Sequence, residues 1–235
     1  ITVAPMFLVI LDILLMGLAL DFDSVAYLER ELFSCTVLYI FIFALLATAP
    51  FNAVLSKYMQ DVIFEERYED ILPCYYMGLL LTLCLGCIPA VPFCLWEYFV
   101  GEVAVFYVFT GFCGYISLIF VFYSMIYLSV CKDYQLISVF FLCGLAGAFL
   151  EALVLRYLLH WSISFSILFS LTSGFFLIAV LEFATIRRYF RKNSNRYKTV
   201  LVYFKDSWQL VVTNFFYTLG LYLHNFVFWT TDMRI

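Results

Sequence analysis

The feature that most constrains this chain is a series of apolar stretches, each about as long as a helix that crosses a bilayer. A transmembrane helix needs about 20 mostly apolar residues, and such stretches recur here with short polar breaks between them. They predict six complete spans and most of a seventh, at residues 2–20, 33–55, 71–95, 103–130, 136–159, 165–185 and 208–229. The chain is therefore predicted to be an all-α polytopic membrane protein.

The composition excludes a water-soluble alternative. Hydrophobic residues make up 66% of the chain and charged residues only 13%, and the mean hydropathy is +1.00. A soluble domain carries about twice that share of charge to cover its surface. The first apolar stretch lacks a basic leader and a small-residue cleavage site, so we predict that it remains a span and is not a signal peptide.

The positions of Lys and Arg predict the orientation, because short cytoplasmic loops are enriched in these residues. If the first span starts on the cytoplasmic side, the cytoplasmic breaks hold Lys57, Arg67, Lys132, Arg187, Arg188, Arg191, Lys192, Arg196, Lys198 and Lys205. The opposite breaks and ends hold only Arg30, Arg156 and Arg234. The reverse topology would place the basic stretch IRRYFRKNSNRYK outside, contrary to this rule.

Residues 186–206 form the only long polar connection between predicted spans. We predict an N-terminal six-helix lobe at 1–185, a basic cytoplasmic linker at 186–206, and the first helix of a truncated second lobe at 207–235. Both ends of the sequence look cut, so the chain is interpreted as a fragment. The basic residues of the linker have two possible roles. They set the topology and do nothing more, or they bind a partner protein, anionic lipid head groups or a phosphorylated donor.

Ionisable groups inside spans cost several kcal/mol unless they face a partner or water, so they are candidates for function. Asp12 lies near the middle of the first span and either lines a transport path or makes a structural hydrogen bond to a neighbouring helix. Glu151 is the second candidate for the transport path. Arg156 follows it by five residues, a spacing that argues against an intrahelical ion pair.

Other polar groups give weaker predictions. Glu182 lies close to the basic linker, so we expect its side chain to reach interfacial water or Arg187. In the last span, Asn214 and His224 are transport-path candidates. A histidine there is either a proton site, since its charge changes near neutral pH, or a hydrogen-bonded interior residue. The charged interior residues are expected to lie on separate helices at different depths, which argues against an intramembrane enzyme.

Prolines and small residues suggest how the spans pack. Pro50, Pro89 and Pro92 lie within or beside spans, where each removes a helix hydrogen bond and favours a kink or a break. Gly144 and Ala148 have the small-xxx-small spacing that allows two helices to approach closely. The chain is 21% aromatic, and these rings either face lipid, form interfacial belts or stack on sugar rings in a cavity.

Enzyme and cofactor motifs are absent from the sequence. It has no glycine-rich phosphate loop, no nucleophile elbow and no metal-binding histidine pair. Cys84 and Cys87 have metal-ligand spacing without a second pair, and all eight cysteines fall in or beside apolar runs, where they act as small hydrophobes. We therefore predict no enzyme activity, no metal and no cofactor.

Three further segments are TVAPMFLVIL, SKYMQDVIFEERYEDILP and FFYTLGLYLHNFVFW. Together they resemble the PelG family, within the multidrug/oligosaccharidyl-lipid/polysaccharide exporter superfamily, and the resemblance spans most of the chain. The matching positions are Lys57, Tyr58, Asp61, Glu65, Tyr68, Leu72, Pro73, Phe216, Tyr217, Leu219, Gly220, Phe228 and Trp229. The family more often has Arg where Lys57 stands, and an acidic–basic pair where this chain has His224 and Asn225.

The resemblance implies two six-helix lobes around a central cavity, working by alternating access in the bacterial cytoplasmic membrane. It also implies a polysaccharide substrate, a cytosolic glycosyltransferase and other membrane subunits of a synthase complex as partners, and no nucleic acid. Transport would be driven by polymer synthesis or by ion antiport through acidic residues such as Asp12. The alternatives are an ion-coupled multidrug exporter, a lipid-linked oligosaccharide flippase, or a scaffold for a synthase that does not itself transport.

Overall fold

The computed structural model describes residues 3–230, with side chains for 7–227, and all its regular elements are helices. They are α1 (Val3–Ala19), α2 (Tyr27–Phe64), α3 (Ile71–Phe99), α4 (Val105–Val130), α5 (Tyr134–Tyr157), α6 (Ile163–Tyr189), α7 (Tyr197–Asp206) and α8 (Trp208–Thr230). Short 3-10 turns lie at Phe22–Ser24 and Tyr68–Asp70. The side chains of Phe228, Trp229 and Arg234 lie outside the described residues.

Each predicted span falls on a helix, which confirms an all-α polytopic membrane protein. In the described part of the chain, six helices (α2, α3, α4, α5, α6 and α8) are long and apolar enough to cross a membrane. The described apolar part of α1, Phe7–Ala19, is shorter. Many large apolar side chains point outward, such as Leu18 and Phe106, each 79% exposed, as expected for a surface that meets lipid.

α2 is much longer than predicted from its apolar stretch. It has 38 residues and is about 57 Å long at 1.5 Å per residue, nearly twice the roughly 30 Å hydrocarbon core. Its last turns carry polar residues, but they stay helical because Tyr58, Met59 and Val62 are buried against the bundle. The end of α2 therefore extends beyond the hydrocarbon.

The sequence suggests that each interior proline causes either a kink or a break. The structure shows no break at these prolines. Pro50 lies inside α2, and Pro89 and Pro92 lie inside α3. Each proline removes one backbone donor, yet neighbouring turns and packing against other helices hold both helices continuous.

The bundle is built around α4 and α6. α6 packs extensively against α4 and α5, α2 packs against α4, α1 against α5, and α8 mainly against α2. α5 and α6 approach closely through Gly144 and Gly174, where a Cβ added to Gly174 would lie 2.9 Å from both the Ala148 Cβ and the Gly144 carbonyl oxygen. The small residues Gly144 and Ala148 thus serve helix packing, as predicted.

The predicted linker contains a helix of its own. α6 continues to Tyr189, four residues past the predicted end of the lobe, and a non-helical segment at 190–196 leads into α7. α7 buries Val200 and Phe204. α8 begins at Trp208, within one residue of the predicted start of the last part. We call the end of the bundle next to α7 the linker end.

Candidate functional site

Asp12 lies inside the bundle, on the buried face of α1, the helix that packs against α5. It is only 7% exposed, and its Oδ2 atom has no hydrogen-bond partner among the described residues. An unpaired carboxylate costs several kcal/mol in an apolar environment. The structure therefore gives Asp12 no structural hydrogen bond through Oδ2 that would account for a carboxyl group at this position.

Glu151 lies at the same depth as Asp12. The Tyr157 hydroxyl donates to the Ala19 carbonyl oxygen (3.2 Å), which aligns the far ends of α1 and α5. Asp12 comes seven residues before Ala19, and Glu151 six residues before Tyr157. Since each residue advances a helix by about 1.5 Å, both carboxyl groups lie about 10 Å from that end.

α6 adds two hydroxyl groups at this depth. Ser173 Oγ donates to the Glu151 carboxylate, and Ser170 Oγ donates to Met16 Sδ (3.7 Å), one turn from Asp12. We call Asp12, Glu151, Ser170 and Ser173 the polar layer. The expectation that the charged interior residues lie at different depths is wrong for the two acids, because sequence spacing does not give the register between helices.

The structure confirms that Glu151 and Arg156 do not form an intrahelical pair. Glu151 accepts its hydrogen bond from α6, whereas Arg156 Nη1 donates to the Trp161 carbonyl oxygen (3.0 Å) in the loop after α5. Residues five apart point in directions about 140° apart on a helix. Glu151 is thus free of a cationic partner on its own helix and faces the α5–α6 seam.

Glu182 is placed differently from the sequence expectation. It is fully buried, and neither Oε1 nor Oε2 has a hydrogen-bond partner among the described residues. Arg187 is exposed and lies about 140° around the helix, so it does not reach the carboxyl group. The expectation that Glu182 reaches interfacial water or Arg187 is wrong, because this face of α6 packs into the bundle.

The polar residues of α8 have different surroundings. Asn214 Nδ2 donates to the Ala49 carbonyl oxygen and so attaches α8 to α2. His224 is exposed and its Nε2 lies 3.1 Å from Nδ2 of Asn225. Neither residue belongs to the polar layer, and their role in a transport path stays a prediction.

A pocket of about 110 Å³ lies between α2, α3 and α4, at the end opposite the linker. Glu97 contributes a carboxyl group to its lining, which is otherwise mainly apolar and includes the aromatic residues Tyr39, Phe43, Phe93, Tyr107, Phe112 and Tyr115. Phe93 contacts the rings of Tyr39 (5.6 Å between centroids) and Phe43 (5.9 Å). We call it the aromatic pocket. Its volume is below the roughly 150 Å³ that accommodates benzene, so a sugar ring needs a wider state.

The motif positions in α2 converge on one residue of α7. The Tyr203 hydroxyl donates to Asp61 Oδ2 (2.8 Å), the Tyr58 ring meets the Tyr203 ring edge-on at 4.9 Å, and Lys57 Nζ lies 6.0 Å from the Tyr203 ring centroid. Partial burial and the Asp61 carboxylate raise the pKa of Tyr203 above its ordinary value. This part of the motif therefore holds the linker helix.

Asp70 is a second attachment point, and the sequence did not single it out. Its side chain is 4% exposed, and it pairs with Arg67 (3.0 Å) and Arg196 (3.8 Å) and accepts from Ser194 Oγ. The Ser194 backbone N–H also donates to the Glu69 carbonyl oxygen (3.1 Å). The acidic run EERYED directly after α2 was the available indication that a basic segment docks there.

Two further motif positions, Tyr217 and Gly220, lie on the open surface of α8. Tyr217 is 66% exposed, and a Cβ added to Gly220 would have no described atom within 4 Å. The Trp229 side chain lies outside the described residues. Tyr217 and Gly220 therefore have no packing role within the described bundle.

Replacing Tyr203 by phenylalanine should loosen the linker. The variant loses the hydrogen bond to Asp61, which contributes about 1 kcal/mol, so trypsin should cut the 190–196 segment roughly five times faster. Tyr197→Phe is the matched control, since its hydroxyl only accepts from Asn193 Nδ2 (3.0 Å) at the exposed start of the same helix. Equal cleavage rates in the two variants would contradict a special role for Tyr203.

The comparison with known families gives the chain its identity. The sequence model of the PelG family, described as "Putative exopolysaccharide Exporter (EPS-E)", matches residues 1–235. The chain belongs to the PelG family. No curated protein matches it, and no solved structure does.

The PelG match confirms the resemblance seen in the three motifs and covers the whole sequence given. PelG is described as an exporter family and not as an enzyme family. Together with the six long apolar helices, it assigns this protein to multi-pass membrane proteins with a role in polysaccharide transport.

Proposed function

We propose that this PelG-family protein exports an exopolysaccharide across the bacterial cytoplasmic membrane by alternating access. The observation that carries the proposal is the match of the entire sequence to an exporter family. In this proposal 1–185 form the first lobe, 186–206 lie in the cytoplasm, and 207–235 begin a second lobe. A cytosolic glycosyltransferase and further membrane subunits supply the polymer.

The polar layer supports a path through the bundle. Two carboxyl groups and two hydroxyls at one depth provide the hydrated or hydrogen-bonding surface that a sugar polymer needs in place of lipid. Asp12 Oδ2 has no hydrogen-bond partner among the side chains and backbone that the structure describes, so one acceptor is available when the helices separate. Seams between α1, α5 and α6 are the positions at which an opening would expose this layer.

The aromatic pocket supports a second contact with the polymer. Sugar rings present C–H groups that pack on aromatic faces, and the Glu97 carboxylate can accept hydrogen bonds from sugar hydroxyls. The pocket lies between α2, α3 and α4, away from the linker. Polymer contacts at the polar layer and then at the aromatic pocket would provide successive sites along the direction of export.

Depletion of the protein in cells that make the polymer tests the proposed function. We expect extracellular polymer to fall at least tenfold, drug sensitivity to stay unchanged, and the glycosyltransferase to remain at the membrane. Glu151→Gln should reproduce the loss of export with normal protein levels, whereas Glu29→Gln, an exposed acid at the start of α2, should not. Loss of the glycosyltransferase from the membrane, with no defect in Glu151→Gln, would identify a scaffold instead.

A further inference from the structure

The most unusual side chain outside the polar layer is that of Glu182. The carboxyl group is fully buried, and neither of its oxygens has a hydrogen-bond partner in the described part of the chain that would compensate a negative charge. Free energy favours the neutral, proton-bearing acid in such surroundings. In this conformation the group at Glu182 is therefore a carboxylic acid that holds a proton.

Among the described residues, the contacts near Glu182 are with hydroxyl groups and aromatic rings, and none pairs it with a cation. Tyr75 of α3 lies nearby, since its ring centroid is 6.0 Å from that of Phe183, the residue next to Glu182. The Tyr75 hydroxyl hydrogen-bonds Ser124 Oγ (2.8 Å), and the Tyr123 hydroxyl donates to the Tyr75 carbonyl oxygen (3.1 Å). These groups are polar and neutral.

The helices packed against α6 present apolar, neutral or anionic groups to it in the contacts of the described residues. α2 meets α6 through Phe41 and Phe175, which are apolar. On the α5 side, Asp133 accepts a hydrogen bond from the exposed Tyr189 at the end of α6 and is itself an anion. The titratable groups on α3 and α4 near this region are Cys74, Tyr75, Tyr76, Tyr123 and Tyr127.

Glu182 lies closer to the linker end of the bundle than to the opposite end, so the solution at the linker end is the nearest proton acceptor. Glu182 comes seven residues before Tyr189, the last residue of α6, so it lies about 10 Å from the linker end of the bundle. The polar layer lies roughly two to three turns further from that end, at Ser170 and Ser173. Separation of α6 from α3 and α4 over two turns would let water reach Glu182 without reaching the polar layer.

We propose that Glu182 is a proton-binding site whose proton exchanges with the solution at the linker end when α6 separates from α3 and α4. On opening, the carboxylic acid transfers its proton to water and becomes a hydrated carboxylate. On closure the carboxylate takes up a proton from water before it is buried. The coupling of this exchange to export rests on the proposed function, whereas proton binding itself does not.

Chemical labelling tests proton binding without any variant. Dicyclohexylcarbodiimide enters membranes and reacts with protonated carboxyl groups, and peptide mass spectrometry locates the product. Labelling of Glu182 should be strong in acid and should fall at least tenfold between about pH 5 and about pH 9, as the open state deprotonates. Labelling that is absent throughout, or that does not change with pH, would overturn the proposal.

Glu182→Gln tests coupling, because glutamine keeps the shape of the neutral acid and cannot release a proton. We expect normal thermal stability, at least a tenfold loss of export, and loss of the pH dependence of the remaining export. Glu29→Gln, at an exposed position, is the matched control. Normal export by Glu182→Gln would contradict the coupling of proton exchange to export, even if the labelling of Glu182 changes with pH as expected. Absence of export by the unmodified protein would instead count against the proposed function, and the labelling result would still stand.

Discussion

Replacing Gly174 by valine is expected to separate α5 from α6 and to lower the free energy of unfolding by about 3 kcal/mol or more, at the upper end of overpacking effects. The first added carbon alone would lie 2.9 Å from the Ala148 Cβ and 2.9 Å from the Gly144 carbonyl oxygen. The second of these atoms belongs to the backbone and cannot rotate away, so a whole helix must move.

Gly220→Val provides the control for this prediction. Gly220 is also a helical glycine, but an added Cβ there meets no described atom within 4 Å, so the two variants share the change in helix propensity and differ in packing. Thermal unfolding of the detergent-solubilised protein, together with the folded fraction in gel filtration, measures the difference. Equal losses in both variants would show that the close approach of α5 and α6 contributes little.

Asp12→Ala should reduce export at least tenfold while leaving membrane insertion intact or improved. Removing a charge from the middle of a span eases insertion, so a loss of export cannot be attributed to failed insertion. The measurements are extracellular polymer and the amount of protein in the membrane fraction. Asp23→Ala, which removes an acid that is 94% exposed in the loop after α1, should secrete normally.

The double variant Asp12→Ala with Glu151→Gln examines whether the polar layer acts as a unit. If both carboxyl groups serve one step, the double variant should lose little more export than the more severe single variant. Multiplied losses would indicate independent roles. Unchanged secretion by Asp12→Ala would remove this residue from the pathway.

The helices were predictable because their determinants are local. Apolar length sets a span, and the Gly144 and Ala148 spacing indicates close packing whatever the partner helix is. The partner, Gly174, was not predictable, since nothing in the sequence around it states which helix lies opposite. The same limitation concealed the common depth of Asp12 and Glu151, which depends on contacts such as Tyr157 with Ala19.

The misplacement of Glu182 and the missed role of the α2 motif have related causes. Distance along the chain placed Glu182 near Arg187, but rotation around the helix axis put the two on different faces. The motif residues Lys57, Tyr58 and Asp61 indicated the family, but the sequence did not show what they do in the structure. Their common contact, Tyr203, lies in a distant part of the sequence.

The length of α2 connects two remote parts of the molecule mechanically. Tyr39, in the aromatic pocket, and Tyr58, at the linker helix, lie on this one continuous helix, about 28 Å apart along its axis. If the helix moves as one body, a tilt of about 5° at one site moves the other by about 2 Å. Widening of the aromatic pocket would thus displace α7, and a partner protein bound to the exposed surface of α7 would oppose that widening.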